Sequence, residues 1–162
     1  MKKQITLILI VIAIIAVFAV LDIVGEKMWE KASGEKWGEP YQKAQSLYTY
    51  LFFGFSYVTF LALAVGGYIY RKDFSEAAAV FVSGWILLST GLEDLFFYLL
   101  KGLPLFSANL TWLGSNKLVT RLSDIMGFPN VTGISLIISI IIGLLLVIVI
   151  NILLYNYRRK RQ

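Results

Sequence analysis

The chain has 162 residues, 58% of them hydrophobic and 15% charged, with a formal net charge of +5. A soluble domain of this length has too small an interior to hide that much apolar surface, so lipid must be part of its solvent. Cysteine and histidine are both absent, which excludes disulfides, thiolate or imidazole metal sites, ordinary haem ligation and Ser-His-Asp chemistry.

In chain order, four apolar segments stand out, at about 5–23, 47–70, 77–100 and 134–155. Each meets the roughly 20 residues that a helix needs to cross about 30 Å of hydrocarbon. Within lipid each segment must satisfy its own backbone, so the expected fold is all-α, a single domain over 1–162 built as a four-transmembrane-helix bundle. Lys2 and Lys3 precede the first segment, and Val17-Phe18-Ala19 resembles a cleavage site. The segment is nevertheless expected to be a retained signal anchor. A first loop follows at about 24–46, where Gly25-Glu26-Lys27-Met28-Trp29 is echoed by Gly34-Glu35-Lys36-Trp37. The echo carries no assigned function. Pro40 suits the first turn of the helix leading into the second segment.

The second segment carries Tyr48, Tyr50, Phe52, Phe53, Phe55, Tyr57 and Phe60 in its first half, read as packing and interfacial aromatics. A short loop at 71–76 makes segments two and three an antiparallel hairpin. The loop at about 101–133 is too long for a plain connection. Within it Ser115 is expected to cap a short amphipathic helix whose apolar face is Leu118, Val119, Leu122, Ile125 and Met126, closed by Gly127 and Pro129. The chain ends in a basic tail at 156–162.

Compact basic clusters lie at Lys2-Lys3, Arg71-Lys72 and Arg158-Arg159-Lys160-Arg161, whereas the lysines of the two long loops are spread out. Density of this kind marks the cytoplasmic face, so both termini are expected inside and both long loops outside, in the cell membrane. Tyr68, Tyr70, Tyr155 and Tyr157 then form an inner aromatic belt, with Trp29, Trp37 and Trp112 on the outer side. The sequons at Asn109 and Asn130 fall in the second outer loop. Anionic lipid headgroups are the expected partners of Arg158, Arg159, Lys160 and Arg161, and nucleic acid is not an expected partner.

Segment three holds the deeply placed carboxylates Glu93 and Asp94. On a continuous helix Glu76, Ser83, Thr90, Asp94 and Lys101 share one face, with Glu93 about 100° away. A charge near a helix centre costs roughly 2.5–3.5 kcal/mol on insertion scales, so each carboxylate needs compensation. The expected partners of Asp94 are Lys101, Arg121, Tyr50 or Tyr57, and Asp22 joins the same candidate site. The group is read as a structural clamp, as an ion or proton site, or, third, as carboxylates of an enzyme acting on a lipid-phase substrate; no cofactor, metal or catalytic residue is assigned. In segment four Ser135, Ser139 and Gly143 recur every fourth residue, with Asn151 two such steps on, a packing stripe that serves either the bundle or another subunit. Segment two has a lesser version in Ala62 and Gly66.

The small first and large second outer loops resemble the tetraspanin layout, but the cysteines that define that family are absent. Small multidrug transporters carry a glutamate in their first helix, where this chain has only apolar residues and Asp22. The expected function is that of a non-enzymatic integral membrane protein, a subunit or accessory component of a larger membrane assembly, docking other subunits or itself. The alternative is a small ion- or proton-coupled transporter or channel using Glu93 or Asp94. A membrane enzyme acting on a lipid-phase substrate is the third.

Overall fold

A computed structural model describes residues 2–34, 43–106, 110, 113 and 116–159, without the side chains of 2–4, 33, 43–47 and 49. Every element among them is a helix: α1 (Lys2–Ser33), α2 (Lys43–Arg71), α3 (Phe74–Ser89), α4 (Leu92–Lys101), α5 (Lys117–Ile125) and α6 (Gly133–Arg159). Ile5–Ala32, Tyr50–Arg71 and Gly133–Arg159 are each long and apolar enough to cross a membrane; α3 and α4 make a fourth span if the bent pair counts as one. Trp37, Pro40, Asn109, Trp112, Ser115, Lys160 and Arg161 lie outside the described residues.

The third segment is not the continuous helix expected over 77–100. It breaks after Ser89, and α4 turns by 60° from α3. The cause is local. Gly91 adopts the left-handed conformation (φ 85°), and that backbone costs glycine least. The Thr90 hydroxyl donates to the Leu87 carbonyl at 3.0 Å, occupying an acceptor that the lost helical turn would have used.

The other boundaries also differ from expectation. α1 continues ten residues past Ile23 to Ser33, because Glu and Lys propagate a helix well. It closes where Gly34 turns left-handed (φ 72°). The inner loop narrows to Lys72 and Asp73, since the Asp73 carboxylate caps α3 by accepting from the Ser75 and Glu76 amides at 3.1 and 3.2 Å. α6 runs to Arg159, into the expected tail. α5 is capped by Asn116, whose side-chain oxygen accepts from the Leu118 and Val119 amides. Its buried face is Val119 and Ser123, while Leu118 and Ile125 are exposed. The Ser123 hydroxyl holds it to α6, donating to Ser135 at 2.7 Å.

Packing between the long helices depends on close approach, because lipid supplies no hydrophobic drive for helices to associate. Phe60 of α2 is fully buried and meets Phe18 of α1 edge to face, with ring centroids 5.7 Å apart. On α6 Ser135, Ser139 and Gly143 are all buried within the bundle. A Cβ on Gly143 would come 2.6 Å from Thr90 Cγ2, so α6 lies directly against the break.

Gly143→Leu should therefore drive side-chain atoms into Thr90 and cost about 1–3 kcal/mol, as overpacking does. The expected readout is a lower thermal midpoint in detergent. Gly67→Ala, where an added Cβ meets nothing within 4 Å, should melt no lower than the wild type. A Gly143→Leu variant that melts like the wild type would remove α6 from the break.

Candidate functional site

The break divides the expected polar stripe into two clusters. At one end Glu76 is buried and accepts from Arg71 of α2 at 3.1 Å and from Arg158 of α6 at 2.9 Å. Arg158 also pairs with Asp73 at 2.7 Å, so three helix ends are tied by one ionic knot. Arg158, expected at lipid headgroups, is committed here; Arg159 beside it is exposed. A cavity of about 10 Å³, lined by Leu7, Ser75, Asn151 and Arg158 among others, places the beginning of α1 at this end too. Further in, Ser83 accepts from the Asn151 side chain at 3.0 Å, joining α3 to α6.

The second cluster lies where α4 packs on α1. Tyr48 of α2 donates to the Asp22 carboxylate at 2.9 Å, over Gly25, where any side chain would collide with the Tyr48 ring. Lys101 at the end of α4 pairs with the buried Glu26 and lies 4.4 Å from the Phe97 ring centroid. Glu93 is 3% exposed, and its Oε1 has no hydrogen-bond partner among the described residues. Asp22 and Asp94 are near enough for their charges to act on it. Asp94 is half-buried beside Gly91 and acts electrostatically on Tyr98.

The structure thus brings Asp22, Glu93, Asp94 and Lys101 to one end and separates Ser83 and Thr90 from them. None of the four partners expected for Asp94 bonds to it. Lys101 goes to Glu26, Tyr57 shares a hydrogen bond with Ser89 at 3.0 Å, Tyr50 is 77% exposed, and Arg121 is exposed with no ion pair among the described residues. The reason is the bend, which takes Asp94 and Lys101 off the axis that carried Glu76, Ser83 and Thr90. It also changes what surrounds the carboxylates, since both now sit in the first turn of a helix. A helix N-terminus favours an anion by roughly 0.3–1 kcal/mol, at most about 2. Taking one carboxylate out of water costs several kcal/mol, so the dipole alone cannot compensate a buried Glu93.

Three residues with central roles escaped the sequence reading. Glu26 falls within the expected first loop and Asp73 within the expected inner loop, where an acid one residue ahead of a helical run, as Asp73 is, is a capping signal. Asn116 is the third. While its oxygen caps α5, its amide nitrogen donates to the Ser89 carbonyl at 3.0 Å, closing the open end of α3.

No protein-family profile, curated protein or solved structure matches this chain. Together the helices define a class, an all-helical protein with three or four helices able to span a membrane; its function has to be argued from geometry.

Asn116→Ala removes a cap, worth about 1 kcal/mol, and strips the Ser89 carbonyl of its partner, worth about 1–3 kcal/mol if buried. The variant should lose thermal stability in detergent, and Asn116→Asp, which keeps only the capping oxygen, should lose less. An Asn116→Asp variant as stable as the wild type would show that the Ser89 bond contributes nothing.

Proposed function

We propose that this chain is a non-enzymatic, four-span component of a larger assembly in the cell membrane, docked to its partner through α2. The outward face of α2 carries this reading. Gly54, Val58, Ala62 and Gly66 recur every fourth residue, all exposed, and a Cβ added at Gly54, Gly66 or Gly67 would meet nothing within 4 Å. Small residues facing lipid forgo packing, whereas a second helix can approach them closely. By sequence alone the α6 stripe, or the lesser one of Ala62 and Gly66 on α2, could serve either the bundle or another subunit. The α6 stripe is consumed inside the bundle, which leaves the α2 stripe as the face for a helix of another chain. Tyr50, Leu51, Phe55 and Ile69 stand exposed on the same helix and supply area for that contact.

In this reading both termini and Arg71-Lys72 are cytoplasmic. The ionic knot of Arg71, Asp73, Glu76 and Arg158 supports it, since it gathers the basic ends of α2 and α6 on one side. The segment holding α5 is then a structured extracytoplasmic loop, tied down by Ser123 to α6 and by Asn116 to α3.

Gly66→Leu should leave the thermal midpoint unchanged and reduce the mass of the detergent-extracted particle to that of a single chain. A wild-type particle that is already a single chain, or a variant with the wild-type mass, would end the assembly reading. Topology is checked separately with single cysteines, because the native chain has none. Lys72→Cys should react with an impermeant thiol reagent only after the inner face is opened, and Trp37→Cys from outside.

A further inference from the structure

We propose that Glu93 is a proton-binding site, a carboxyl group that takes up and releases a proton at the Asp22–Tyr48 end of the bundle. This goes beyond the assembly reading and holds whether or not α2 docks a partner.

The site is made by the break. Gly91 turns the chain so that Glu93 enters the first turn of α4 and is buried there, 3% exposed. Around it α1 supplies Asp22 and Glu26, α2 supplies Tyr48, and α4 itself supplies Asp94, Tyr98 and Lys101. From α6 the nearest side chain to the break on this side is the apolar Leu136. Of the carboxylates gathered here, Glu26 is paired with Lys101. Asp22 has the Tyr48 hydroxyl. Glu93 Oε1 has no donor among the described residues.

An ionised Glu93 would place a bare, buried oxygen beside two further carboxylates. Burial without a partner and like charge nearby both disfavour the anion. The α4 N-terminus opposes them with one partial charge, which the half-buried Asp94 shares. A proton removes the net charge from Glu93 and requires one oxygen. A metal ion requires several, and no group of three or more acidic side chains among the described residues is arranged to hold one. Uptake forms one O–H bond on the carboxylate at the expense of an O–H bond of hydronium or water, and release reverses it.

Infrared spectroscopy of the purified full chain in lipid tests this directly. At neutral pH the wild type should show the C=O stretch of a protonated carboxylic acid. The band should shift on exchange into deuterated water and disappear as the pH is raised. In Glu93→Gln, with its fold checked by thermal melting, the band should be lost, while in Asp22→Asn and Asp94→Asn, each lacking one neighbouring negative charge, it should titrate away at lower pH than in the wild type. Should Glu93→Gln fail to fold, Glu93→Asp gives the same answer by moving the band. A neutral-pH spectrum with carboxylate bands alone overturns the proposal. So does a band that persists in folded Glu93→Gln or stays unmoved in Glu93→Asp.

Discussion

Everything distinctive in this bundle depends on the interruption at Thr90 and Gly91. In hydrocarbon a helix can break only where the freed backbone groups find other partners. Here they do. Thr90 takes the Leu87 carbonyl, the Gly91 amide donates to the Leu88 carbonyl at 3.1 Å, and Asn116 reaches across from the start of α5 to the Ser89 carbonyl. The break is a junction where α2, α3, α5 and α6 meet, with Tyr57 bonded to Ser89 on one side and Gly143 against Thr90 on the other. Interruptions of this kind are where membrane proteins expose polar backbone and place ligand-binding groups.

The two ends of the bundle solve the problem of buried charge differently. In the knot of Arg71, Asp73, Glu76 and Arg158, two acids face two guanidinium groups, and Arg158 Nη1 lies within ion-pair distance of both carboxylates. Such an arrangement is balanced and ties helix ends together. At the other end Lys101 pairs with Glu26 and Tyr48 donates to Asp22. Glu93 Oε1 is left without a hydrogen-bond partner among the described residues, and the proposed proton site rests on that oxygen.

The helices also divide their labour by residue size. On α6 the small residues are spent on internal packing, which frees its remaining faces, rich in Ile, Leu and Val, for lipid. α2 packs chiefly on α3 and turns its own small residues outward. A glycine costs a helix stability relative to alanine, so a row of glycine and alanine with nothing packed against it is coherent where another helix covers it.

The sequence by itself determined that this is a helical protein of the membrane, because hydrophobic length and the need to satisfy backbone groups are properties of each segment alone. It located Glu93 and Asp94 as the unusual charges and Ser135, Ser139 and Gly143 as a packing stripe, since both follow from composition and period. Caps were less legible: Asn116 and Ser115 are adjacent and chemically alike, and which one caps α5 depends on where the chain turns. What only the tertiary structure decided was the break and its consequences. A Thr-Gly pair inside an apolar run is tolerated in a straight helix, and it becomes a 60° bend where Gly143, Leu136 and Asn116 from distant parts of the chain receive it. Helical projection assumes one axis. Once the axis changed at Gly91, Asp94 and Lys101 left the face of Glu76, Ser83 and Thr90, and their neighbours were set by contacts dozens of residues away that periodicity does not encode.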